Sequence, residues 1–324
     1  MSGRRTFALM VCLMAVVSAA SVWAAPASVD LLFKGNPGDA NRYVTTLDFA
    51  VDFQVQPPGG AGMAIALTPK FSGTFTAIEH IRGVAENGDL TVGAQIESFD
   101  ATFDAADLHL RLAICGPNGG PPTLIKLPPL PIETVISKRG KPLAINGLEQ
   151  LPIPPIPGPD GKPLDLVGMI NKMMSDFSQP LFPNRPVKLG DKWEWELVMD
   201  PMAMMENLGM PMPAEAKAGM PELKIPIKNT STLVAFETVG GVECAKIEAV
   251  APWQLEMPAG PPGSGGMVLK EQGKTLVTTW FDYAAGRKVR ENVRVEVTMT
   301  VGDGKVTPVR MTMLGNGTTE LKPL

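Results

Sequence analysis

Over residues 45–56 the apolar side chains Leu47, Phe49, Val51, Phe53 and Val55 alternate with Thr46, Asp48, Asp52, Gln54 and Gln56, broken only by Ala50 on the polar side. A period of two throws successive side chains to opposite faces of an extended strand, one against a core and one against water. The alternation returns at Leu108, Leu110, Leu112 and Ile114. It returns at greater length from Val289 through Val293, Val295, Val297 and Met299 to Val301, where Arg290, Asn292, Arg294, Glu296, Thr298 and Thr300 take the wet face. Turn signals sit inside such runs: Gly240-Gly241 within 236–247, Lys138-Arg139-Gly140-Lys141 within 132–145, and Ala284-Ala285-Gly286 within 279–292. Hairpins of this kind join antiparallel neighbours, so the chain is expected to be mainly β with antiparallel sheets.

Helix signals are confined to the middle. Leu166, Met169, Ile170, Met173, Met174 and Phe177 recur at helical spacing, with Asp165 placed to cap and Pro180 beyond the end. A shorter helix is expected from Asp200-Pro201 to about Gly209. Before the first helix, residues 151–159 read Leu-Pro-Ile-Pro-Pro-Ile-Pro-Gly-Pro, a semi-rigid extended spacer.

Either side of that spacer the sequence repeats weakly. Residues 75–84 match 233–242, with Ala77, Glu79, Gly83 and Val84 meeting Ala235, Glu237, Gly241 and Val242. Gly38-Asp39 followed by Tyr43 matches Gly190-Asp191 followed by Trp193, and residues 135–141 match 281–287. Three similarities in one order predict two related β units, residues 28–150 and 180–324, joined by the spacer and Met-rich helix at 151–179.

Met1 to Ala24 reads as an export signal: Arg4 and Arg5, an apolar stretch from Phe7 to Val17, and Val22-Trp23-Ala24 as the small-residue cleavage site. The apolar run is too short for a permanent anchor, and Val11 before Cys12 does not suit lipidation. A secreted or periplasmic chain without a transmembrane segment after signal removal is expected. Loss of Arg4 and Arg5 moves the formal charge from −4 to −6, which excludes a nucleic-acid footprint. Gly and Pro number 33 and 32 in 324 residues, high but below low-complexity usage, so a folded core is expected. Cys115 and Cys244 remain after cleavage. In an oxidising compartment they are either a disulfide or, for Cys244 within a strand-like run, a small buried hydrophobe.

Little in the sequence points to catalysis. The two histidines, His80 and His109, are too few for an imidazole triad or metal site, and the G-x-S-x-G, H-E-x-x-H and C-x-x-C motifs are absent. The glycine-rich stretches 57–62 and 258–266 lack the Lys-Ser/Thr of a phosphate loop. Glu194 with Glu196, and Asp100 with Asp104, are acids two apart and fit the wet face of a strand better than a glycosidase pair. Trp193 and Trp195 share the opposite face and read as core anchors. No cofactor is implied.

Methionine is the unusual component, with Met199, Met202, Met204, Met205, Met210, Met212 and Met220 within 22 residues. Thioethers can hold Cu(I), but no His or Cys accompanies them here, and their adaptable apolar surface also suits a core cover or a hydrophobic groove. Met169, Met173, Met202 and Met205 are the candidate apolar-ligand lining.

Phe182-Pro183, residues 186–193 (Pro-Val-Lys-Leu-Gly-Asp-Lys-Trp), Cys244-Ala-Lys-Ile247 and Trp280-Phe-Asp-Tyr283 with Gly286-Arg287 resemble the pattern of a family of uncharacterised secreted bacterial envelope proteins. Its strand pattern is in turn similar to that of periplasmic lipoprotein and lipid carriers with a curved half-barrel sheet. The resemblance implies a concave apolar face and no catalytic residue. The expected function is therefore a non-enzymatic envelope protein binding lipid or a lipoprotein acyl chain. The alternative is a structural or protein-interaction module that contacts another envelope protein.

Overall fold

The structure is a computed structural model and describes residues 26–55, 65–105, 108–115, 125–126, 133–147, 180–199, 225–258, 268–302 and 309–324. The expected leader, proline spacer and both expected helices lie outside these residues, as do Met169, Met173, Met202 and Met205. No helix occurs among the described residues.

Every strand among the described residues belongs to one sheet. β1 (Ala40–Val55), β3 (Lys70–Val84), β4 (Leu90–Ala105), β5 (Leu108–Cys115) and β6 (Ile125–Lys126) form one side. β9 (Lys192–Met199), β10 (Ile225–Val239), β11 (Val242–Pro258), β12 (Val268–Asp282), β13 (Arg287–Gly302) and β14 (Val309–Lys322) form the other. The order is β6-β5-β4-β3-β1-β14-β13-β12-β11-β10-β9, an open path of eleven strands, antiparallel except for the short β5–β6 pair. β2 (Ile65–Leu67) adds to β1, and β7 (Glu133–Ile136) with β8 (Pro142–Asn146) adds to β4. The two sides meet where the first strand pairs with the last, from Arg42 opposite Lys322 to Gln54 opposite Arg310.

The expected hairpins are present. Gly240 and Gly241 (φ 59° and 83°) make the two-residue turn between β10 and β11, with Val239 opposite Val242. Both turn positions need a left-handed backbone, which glycine adopts without strain. Gly140 and Gly286 serve the β7–β8 and β12–β13 turns.

The alternation seen in the sequence sorts the sheet into two faces. Outward go Thr46, Asp48, Ser72, Thr74, Lys274 and Glu256, all exposed. Ion pairs lace this face: Arg42 grips Glu97 with two hydrogen bonds (2.8 and 3.1 Å), and Arg111 grips Asp100 (2.9 and 2.6 Å). Inward go Leu47, Phe49, Val51, Phe71, Phe75, Val293, Val295 and Val297, none of them exposed.

At one end of the inner face the chain folds over itself. Val29 and Val187 exchange backbone hydrogen bonds (2.8 Å each), Phe33 donates its N–H to the Lys138 carbonyl, and Lys34 to that of Gly286. This strap carries Leu31 onto Leu233, Ala245 and Phe281, with Phe182 and Val187, all 0–1 % exposed. Phe182 meets Phe281 edge-on at 4.6 Å and stacks on Phe33 at 5.4 Å. The Trp193 indole N–H donates to the Leu181 carbonyl (3.1 Å). Phe281→Ala removes the centre of this cluster and should cost about 3–5 kcal/mol, read from the denaturant midpoint.

Candidate functional site

Rows of directly opposed residues show what the inner face offers. Phe103, Phe71, Phe49, Gly315, Val295, Thr275 and Ala251 follow one another across seven strands. Above them lies the row Val51, Met313, Val297, Gly273 and Trp253. The glycines in these rows have a steric purpose. A Cβ on Gly273 would stand 2.0 Å from the Trp253 ring, and one on Gly315 would stand 2.4 Å from the Phe49 ring. Each ring therefore lies down over the glycine on the neighbouring strand instead of projecting from the sheet. The indole N–H of Trp253 is anchored on Glu271 (3.0 Å). The result is a wide, low-relief hydrocarbon surface, half-buried across most of its extent.

Towards the strapped end the inner face becomes polar. Thr45 and Thr319 share a hydrogen bond (3.0 Å), Thr279 donates to Glu291 (3.2 Å), and Lys288 lies 3.3 Å from both Glu291 oxygens. Beyond this belt lies a cavity of about 290 Å³ walled by Phe33, Ile81, Leu90, Ile136 and Leu181, with Tyr43, Glu79 and Arg287 at its rim. Tyr43 donates to the Lys288 carbonyl (3.3 Å), and burial, aided by the charge of Glu79, raises its phenol well above the usual value. The Glu79 side chain is exposed on β3, and the strands around it take part of the water from its carboxyl. That loss of water raises its carboxyl above the ordinary range, while Lys288 pulls the other way.

The residues singled out by sequence are dispersed. Cys244 is a free, buried thiol on β11, while Cys115 belongs to β5, seven places away along the sheet. Trp193 is buried and Trp195 half-buried, with Glu194 and Glu196 exposed opposite them and Glu194 paired to Lys228 at 2.7 Å. Asp100 is held below the ordinary carboxylate range by Arg111 on the outer face. His80 is half-buried on β3, and the backbone of His109 lies opposite Asp104. Glu79 drew attention in the sequence only as a repeat match; its surroundings depend on strands brought in from both sides of the sheet.

No protein-family model and no curated protein matches the sequence, so membership of the envelope family stands as an expectation. In structure the chain is similar to lipovitellin, in a study of lipid–protein interactions, with a TM-score of 0.43 and 12% identity over 89% of this chain. The aligned part is 25% of lipovitellin's length, about a quarter of that chain. Weaker likenesses are to OmpF of Salmonella typhi in complex with daunomycin (TM-score 0.24, 7% identity, 87% of this chain and 98% of that one) and to OpdQ of Pseudomonas aeruginosa (0.23, 9%, 87% and 99%). Among the described residues no helix is long and apolar enough to cross a membrane.

Two outcomes follow from the local chemistry. Burial, with Asp282 nearby, pushes the Cys244 thiol up to about 11, which leaves about one thiolate per thousand at pH 8. Peptide-resolved alkylation should find Cys244 unmodified in native buffer and fully modified in denaturant. For Glu79, the folded chain keeps the proton to a higher pH than the unfolded chain, so stability falls as pH rises through that interval. Glu79→Gln should raise Tm modestly at pH 7, and thermal melts should show the gain gone by about pH 3, where the wild-type carboxyl is protonated in both states.

Proposed function

We propose that this is a non-enzymatic, exported envelope protein that holds the hydrocarbon part of a lipid or lipoprotein acyl chain against the inner face of its sheet. The observation that carries this is the largely apolar inner face of an open sheet, with the Phe49 and Trp253 rings lying flat over Gly315 and Gly273 and Glu271 held by the Trp253 indole. The half-buried apolar side chains of this face keep part of their surface in water, and covering that part with hydrocarbon returns about 25 cal/mol per Å². The support is the face itself; the likeness to lipovitellin adds nothing to it.

We also propose that residues 28–150 and 180–324 are related units within the one sheet. Strands β1-β3-β4-β7-β8 and β9-β10-β11-β12-β13 pair in the same sequence. Ala40 faces His80 as Lys192 faces Thr232, an interval of 152 in both strands. Register shifts fall at Arg82 and at Val234, again 152 apart, so strand pairing sets β3 against β10 at 152 and not at the 158 of the sequence match.

Organic extraction of the purified protein followed by mass spectrometry should release lipid, and a fluorescent fatty acid should bind the delipidated chain. Val295→Glu, which puts a charge in the middle of the inner face, should weaken that probe about tenfold or more. Arg294→Gln, one residue away on the outer face, should leave it unchanged. Equal binding by both variants, or no probe binding at all, would count against the proposal.

A further inference from the structure

The correspondence between the two sides identifies a place where one is filled and the other hollow. In β9, β10 and β11 the opposed residues Trp193, Ser231 and Ala249 belong to the closed end, and Leu233, Ile247, Ala245 and Phe281 beside them are buried at 0–4 % exposure under the strap. The matching residues of β1, β3 and β4 are Asn41, Glu79 and Ala94, with Ile81, Val92, Leu90 and Ile136 beside them. Where the second side has the indole of Trp193, the first has an asparagine. Where the second has a small hydroxyl, the first has a carboxylate. The cavity of about 290 Å³ lies here.

Its polar groups keep bonding capacity of both signs in reserve. Glu79 makes no hydrogen bond or ion pair with the described residues; Lys288 acts on it only through space. Arg287 gives one N–H to Asn41 (3.0 Å), and its buried Nε forms a long ion pair with the Asp282 carboxylate at 3.7 Å but makes no hydrogen bond among the described residues. Asp282 is already engaged by the N–H groups of Ala284 and Ala285. The Lys34 ammonium reaches only the carbonyls of Tyr283 and Ala284. A buried donor beside an exposed, unpaired carboxylate suits a ligand that brings an acceptor and a donor together.

We propose that this cavity receives the zwitterionic head of an amphiphile, a phosphate followed by a primary ammonium, as in phosphoethanolamine. The phosphate meets Arg287 and the lysines, and the ammonium meets Glu79. The attached chain leaves past Thr45 onto the hydrocarbon surface of the same face. A purely anionic head would meet Glu79 as a like charge, and a choline head has no N–H to give it. The assignment rests on the apolar-ligand reading above and adds the identity of the head.

The test compares lauroyl lysophospholipids below their micelle concentrations, with ethanolamine, choline or glycerol heads, by calorimetry on the delipidated full chain. The ethanolamine form should bind about tenfold more tightly than the other two, the size of one charge-assisted hydrogen bond. Glu79→Gln, which removes the charge and keeps the side chain's shape, should abolish that preference while leaving binding of the glycerol form equal or tighter. Equal affinity for the three heads, or a preference that survives Glu79→Gln, would overturn the head assignment and leave the apolar-ligand reading standing. Failure of all three to bind would overturn both.

Discussion

An open sheet with one apolar face has to keep that face from water, and the rest of this structure is arranged around doing so. At the strapped end the solution is conventional core packing: residues 29–33 and 181–187 lay Leu31, Phe182 and Val187 over Leu233, Ala245 and Phe281. The side chains there are almost wholly withdrawn from water. Further along the strands the inner face is half-buried, and its relief is suppressed by pairing Phe49 with Gly315 and Trp253 with Gly273. The two regions differ in kind. The first holds the fold together; the second presents a surface.

Between them lies a cluster of inward-facing charge. Glu291, Lys288 and the threonine pair form a belt, and Tyr43, Glu79 and Arg287 stand at the rim of the cavity beyond it. The outer face resembles this in composition but not in environment. Glu237 accepts from Trp280 and Lys246 at 2.9 and 3.1 Å, and its carboxyl is held low by those hydrogen bonds, whereas Glu79 has no such donors and is pushed up by the loss of water around it.

That contrast also shows how far the sequence could be read. The period of two is a local property, so the strands, their wet and dry faces and the three glycine turns were legible directly. Sheet order was not, because nothing in residues 40–55 names residues 309–322 as their partner. The sequence match of residues 75–84 with 233–242 set Glu79 beside Glu237. The register shift at Val234 explains why these two glutamates differ: an extra residue in one strand reverses the face of everything beyond it, so one carboxylate points in and the other out. Val289 is a similar case. It begins the long alternation in the sequence but stands in the shift between Lys288 and Arg290, which is what lets Lys288 turn inward. The cavity requires strands from both sides and the strap, a convergence of distant segments that no window of sequence contains.

Placing the first strand against the last also fixes an order of events. The hydrogen-bonded seam from Arg42–Lys322 to Gln54–Arg310 closes the longest loop in the chain, whose entropic cost must be met before any of its contacts form. Each flank can zip by neighbouring hairpins as it is made. The middle of the sheet cannot: β1 must wait with one edge unsatisfied until the final fourteen-residue strand arrives. A molecule assembled this way is completed from its margins inward, and truncating its C-terminus would leave a bare edge at its centre.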